Sequence, residues 1–117
     1  MSATPSASKS PGLTDIAWAA GLVEGEGSII AYKKLKAAQG YSGKLVVYQK
    51  GRWILDKLAT LFGGTVSPNR RDDSGDVTHW VWQTHGPRAR GLMMSMYPWF
   101  SPRRKAAVRK VIHGEDK

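Results

Sequence analysis

The chain has 117 residues, enough for one domain that buries roughly two-thirds of its unfolded surface. Eighteen Lys and Arg against nine Asp and Glu give a net charge of +9, which points to a polyanionic partner, a nucleic acid above all. There is no cysteine, so disulfides, thiolate zinc sites and cysteine nucleophiles are excluded.

In chain order, residues 1–13 are mostly Ser, Ala, Thr and Pro and read as a disordered tail. A folded domain is expected over 14–113, with a short tail at 114–117. Thr14 is placed to cap a helix opening at Asp15. From Ile16 to Val23 that helix carries no polar side chain, and a helix apolar all round needs cover all round. Ile16, Ala19, Leu22 and Val23 can seat it on a core. Ala17, Gly21 and Gly25 pave another edge with small residues, where a second backbone can approach closely.

Glu24 and Glu26 end this helix. The macrodipole is negative there, and each acid costs about 0.3–1 kcal/mol. A divalent cation would explain them, since hard cations take carboxylate and backbone oxygens. Solvated acids in a helix-to-strand loop would also explain them.

After Gly27 the period changes from helix to strand. Ser28, Ile30, Tyr32, Lys34 and Lys36 share one face of a first strand. A turn at 38–40 leads into a second strand over 41–50, with Lys44, Val46 and Tyr48 on one face and Leu45 and Val47 on the other. No acid occurs between Gly27 and Leu55, so the positive charge is concentrated here. A second helix starts at Gly51 or Arg52, with Trp53, Leu55, Leu58, Leu61 and Phe62 as its apolar stripe and Gly63-Gly64 as its stop. A third strand spans 65–71, where Pro68 marks an edge or a bulge. The turn 72–76 joins it to a fourth strand over 77–84, in which Trp80 and Trp82 alternate with His79, Val81 and Gln83. Helices follow over 86–96 and from Ser101-Pro102 onward, Ser as cap and Pro in the first turn. His79, His85 and His113 show no metal-ligand spacing.

The expected fold is α+β, αββαββαα, a four-stranded antiparallel sheet with helices on one face. The other face is left to water or a ligand. A two-stranded ribbon fits the DNA major groove, where base edges carry a full code. The candidates for such a face are Ser28, Ile30, Tyr32, Lys34, Lys36, Lys44, Val46, Tyr48, Ser67, Asn69, Arg71, His79, Val81 and Gln83. Arg103, Arg104, Lys105, Arg109 and Lys110 stand on the last helix without an acid among them and can neutralise phosphates.

Three stretches carry a resemblance to a known family. Ala19-Ala-Gly-Leu-Val-Glu-Gly-Glu-Gly27 resembles the signature nonapeptide of the LAGLIDADG homing endonucleases. Trp53-Ile-Leu-Asp-Lys-Leu58 with Gly63-Gly64 resembles that family's second helix and its glycine stop. Tyr97-Pro-Trp-Phe-Ser-Pro-Arg-Arg104 resembles the entry to its last helix. The resemblance covers about residues 15–113.

It implies a site-specific double-strand DNA endonuclease that depends on a divalent metal, Mg²⁺ or Mn²⁺. Glu26 corresponds to the metal ligand, with the Gly25 carbonyl nearby. Gln49 and Arg103 correspond to the polar and basic residues beside the scissile phosphate, with Lys105 a rival to Arg103; Arg104 and Lys105 are further DNA contacts. A single signature implies a homodimer on a long pseudo-palindromic site, with Ala17, Gly21, Glu24 and Gly25 at the interface. Two departures stand out: glutamates where aspartates are commoner, and a short segment, Lys50-Gly51-Arg52, after Gln49. The competing expectation is a non-cleaving regulator or RNA-splicing maturase on the same fold; a small unrelated RNA-binding protein is a third. No apolar run reaches membrane-spanning length and no secretory signal stands out, so the expected setting is intracellular and cytoplasmic.

Overall fold

The computed structural model describes residues 11–33 and 41–113. Helix α1 spans Leu13–Glu26 and runs directly into strand β1, Gly27–Lys33. Strand β2 follows at Tyr41–Gln49, then helix α2 at Trp53–Phe62. Strands β3 (Thr65–Arg71) and β4 (Val77–His85) form the second hairpin. Helix α3 (Gly86–Met96), a 3₁₀ turn (Tyr97–Trp99) and helix α4 (Pro102–His113) complete the chain. The sheet is antiparallel in the order β1-β2-β4-β3. The αββαββαα order expected from the sequence is the order found. The 3₁₀ turn was not anticipated, and the tails, the turn at 38–40, Lys34 and Lys36 lie outside the described residues.

Register assigns each strand residue to a face. Leu45, Val47 and Trp82 project to the helical side and are fully buried with Ala19, Ala20 and Val23 of α1, Leu55 and Leu58 of α2, and Met93 and Met96 of α3. Trp82 also donates its indole N–H to the Gly63 carbonyl at 2.8 Å. Gly63 ends α2 with φ +80°, a conformation that L side chains rarely adopt.

Two local expectations are corrected. The cap of α1 is Gly12, one turn of backbone ahead of Asp15, whose Oδ2 accepts the Gly12 N–H at 3.1 Å; Thr14 stays exposed. Trp53 is 70% exposed and does not belong to the apolar stripe of α2, because it sits in the first turn, ahead of the part that reaches the sheet.

Candidate nucleic-acid interface and acidic centre

The open face of the sheet carries the partners Ser28↔Val46↔Gln83↔Thr65, Ile30↔Lys44↔His85 and Tyr48↔Val81↔Ser67. Ile30, Tyr32, Lys44, Gln83 and His85 line one shallow hollow on it; Tyr48, Asn69, Arg70 and His79 line another. Tyrosines, a lysine, histidines and amides facing one way can donate to phosphates and read base edges.

Some expected contacts change. Val46 is 2% and Val81 8% exposed. They lie on the two central strands and form the buried floor of the face. Strand β3 shifts register between Pro68 and Arg70, so Arg70 rather than Asn69 pairs with His79. This bulge brings Arg70 onto the face, a residue strict alternation had assigned to the other side. Pro68 was its sequence signal. Arg71 is back in register opposite Val77, but its Nη1 donates to the Gly75 carbonyl at 3.0 Å and braces the turn. His85 joins the face because β4 runs one residue further than expected.

The acidic end of α1 is built from three elements. Glu26 is exposed, and its Oε1 accepts from Gln49 Nε2 at the end of β2, at 3.3 Å. Gly27 follows at once; a Cβ there would lie 2.8 Å from the Val46 carbonyl oxygen, so only glycine lets α1 pass so abruptly into the sheet. Arg103, in the first turn of α4, lines a cleft with Gly27, Ser28 and Ile29. Glu26 and Gln49 thus meet at the end of α1, and the cleft that Arg103 lines begins at the next residue, Gly27.

Glu24 takes a different course. Its Oε1 accepts the Ser101 N–H at 2.9 Å, at the N-terminus of α4. Arg104 donates from Nη2 to the Glu24 main-chain carbonyl at 2.9 Å, and its Nε lies 3.2 Å from Glu24 Oε2. That last contact is an ion pair whose angle is too poor for a hydrogen bond, and it leaves the buried Nε–H otherwise unmatched. The two residues cap each other's helices. An acid meets the positive end of α4, and a cation meets one of the orphan carbonyls at the negative end of α1. The Ser101 N–H, with help from Arg104, holds the Glu24 carboxyl below the usual carboxylate range against the opposing effect of burial. An acid at the wrong end of its own helix is therefore explained by the right end of another.

This arrangement engages two residues of the expected site with each other. Arg104, with only 12% of its side chain exposed, is engaged by Glu24 and lines the cleft of Arg103. Glu24 is engaged within its own chain by Ser101 and Arg104. Lys105 Nζ lies 5.3 Å from the Tyr97 ring centre. After Gln49, Arg52 stacks over Trp80 at 4.7 Å and pairs with Asp56 at 3.1 Å, whereas Lys50 is exposed.

The edge of α1 expected to receive a second backbone is open: among the described residues, beyond the helix's own backbone, no atom lies within 4 Å of a Cβ built at Gly21 or Gly25. Among the described residues no group of three or more His, Cys, Asp or Glu could hold a metal. Glu26 is a hard-oxygen donor with only an uncharged amide as partner, and Gly25 lies in the last turn, whose carbonyls lack intrahelical donors. This donor set suits Mg²⁺ or Mn²⁺ in kind, but one chain offers only part of a coordination shell. No described helix is long and apolar enough to cross a membrane.

No protein-family model matches the sequence, and no curated protein matches it. Solved structures do. The homing endonuclease I-CvuI, in complex with its target and calcium, aligns with a TM-score of 0.60 and 22% identity over 89% of this chain and 71% of that one. The archaeal intron-encoded homing endonuclease I-Vdi141I, complexed with DNA, gives 0.62 and 13% over 86% and 68%. The I-SmaMI LAGLIDADG homing endonuclease bound to cleaved DNA gives 0.50 and 17% over 80% of this chain but 33% of that one. With the signature helix, the antiparallel sheet and its open face in the same order, the fold of this chain is that of the LAGLIDADG homing endonucleases.

Proposed function

We propose that this protein is a site-specific double-strand DNA endonuclease that works as a homodimer with a divalent metal, Mg²⁺ or Mn²⁺. The observation that carries this reading is the Glu26–Gln49 bond at the end of α1, next to the cleft lined by Gly27 and Arg103 and beside an open, cation-bearing sheet face. The solved neighbours with this fold are described as DNA complexes, which supports the substrate class.

DNA would lie along the open face. Lys44, Arg70, His79, Gln83 and His85 would make polar contacts there, with Tyr32 and Tyr48 adding aromatic edges. Ser28 and Ser67 flank the same face. Glu26 and the Gly25 carbonyl would hold the metal, which supplies Lewis-acid activation of water and stabilises the leaving oxygen. Gln49 orients the Glu26 carboxylate through its amide and can also bond the attacking water. Arg103 would neutralise charge on the scissile phosphate.

Two copies would meet along Ala17, Gly21 and Gly25, each bringing one acid to the symmetry axis. That doubling supplies the donors one chain lacks, and it requires a pseudo-palindromic site. The test is to incubate the protein with a randomised duplex library and Mg²⁺ and to sequence the ends. One recurring, two-fold-related cut site is expected. Tight binding to one site without cleavage under Mg²⁺ or Mn²⁺ would favour a regulator instead.

A further inference from the structure

Glu24 and Arg104 each lie next to a residue of the candidate cleavage centre, and Arg104 also lines the cleft of Arg103. Glu24 precedes Gly25 and Glu26, and Arg104 follows Arg103. The last turn of α1 and the first turn of α4 are 77 residues apart, and three contacts of 2.9 to 3.2 Å join them. Two contacts engage the Glu24 carboxylate and one its main-chain carbonyl, so both the side chain and the backbone of α1 are fixed. Arg104 is largely buried here, which removes competition from water.

We propose that the Glu24–Ser101–Arg104 contact is a positioning latch that sets Arg103 against Glu26 for phosphodiester cleavage, a role that rests on the endonuclease reading. The two active elements come from helices that meet end to end, and an end-to-end junction has little interdigitating surface to define its angle. Polar contacts with directional geometry define it instead. Misplacement of a catalytic group by 1 Å can cost about 100-fold in rate, so a loose junction would leave binding intact and slow the chemical step.

The experiment compares Glu24→Gln, Arg104→Lys and the double variant with Val111→Ala, a buried position of α4 outside the junction. Single-turnover cleavage with Mg²⁺ is measured beside DNA affinity in Ca²⁺ and thermal stability. Glu24→Gln should slow cleavage by roughly 10- to 100-fold with DNA affinity unchanged. Arg104→Lys, which keeps the charge but loses the forked geometry, should slow cleavage less than Glu24→Gln, and the double variant should be less than additive. Slowing that simply tracks thermal loss, as in Val111→Ala, would overturn the latch.

Amide exchange decides the same point without cleavage. Glu24→Gln should speed exchange at 25–28 and 101–105 together while β3 and β4 stay protected. Faster exchange at 101–105 alone, or throughout the chain, would overturn the latch. A wild type that cuts no DNA would sink the endonuclease reading, and the exchange result would still decide whether the two helix ends are coupled.

Discussion

Gln49 Nε2 donates to Glu26 Oε1 at 3.3 Å, across 23 positions of sequence. The bond ties the end of β2 to the end of α1 through one of the two carboxylate oxygens. Glu26→Gln keeps the size of the side chain and removes the charge. Cleavage should fall by at least about 100-fold, with DNA affinity in Ca²⁺ nearly unchanged, because the open face is untouched. Nicking of a target plasmid, measured beside a binding titration, checks this; near wild-type cutting would remove Glu26 from the metal site.

DNA affinity should fall steeply with salt. If about 6–10 phosphates are neutralised, the loss between 50 and 200 mM salt is on the order of 10³-fold or more. Lys44→Ala should weaken binding and reduce the slope by about one. A flat response over that range would be incompatible with a nucleic-acid partner.

Gly21 separates dimerisation from folding. Among the described residues nothing lies within 4 Å of a Cβ built there, and Gly21→Leu raises helix propensity by roughly 0.5–1 kcal/mol within one chain. Against a second copy the same side chain would force the helices apart. Sedimentation should show a wild-type dimer converted to a folded monomer. A wild type that sediments as a monomer at tens of micromolar would reject the homodimer.

Stability should carry a pH signature from Glu24. Its folded carboxyl titrates below the ordinary value of 4.5, so its contribution is complete above pH 4.5 and is lost as pH falls through the lower folded value. The gap in melting temperature between wild type and Glu24→Gln should therefore be widest near neutrality and close under acid conditions. Asp72 is shifted the same way by Ser74 and Asp76, but it is present in both proteins and cancels in the comparison. A gap independent of pH would show that the charge of Glu24 is not what matters.

The core makes its own prediction. Trp82→Phe keeps an aromatic ring under α2 but removes the indole N–H that satisfies the Gly63 carbonyl. The cost should be roughly 1–3 kcal/mol, read by denaturant unfolding, with DNA affinity unchanged.

Local chemistry was enough to read much of this protein from its sequence. The apolar run Ile16–Val23 demanded a helix, period-two alternation placed Leu45, Val47 and Trp82 on one face, Gly63 stopped α2, and Ser101-Pro102 opened α4. Those signals depend on near neighbours, so they survive without a structure. The signature stretch also brought Glu26, Gln49 and Arg103 together by family resemblance. Tertiary structure decided which polar groups are free to act. Nothing near Glu24 in sequence supplies the Ser101 N–H or the Arg104 guanidinium, so its paired acids looked equivalent until the chain closed. One became a cap and the other stayed exposed. Likewise Val46 and Val81 alternate correctly yet lie in the buried floor of the face, and the bulge after Pro68 exchanged Asn69 for Arg70 opposite His79. Alternation fixes a face, but burial within that face and the register of a bulged strand depend on side chains from other strands, and these meet only in the folded sheet.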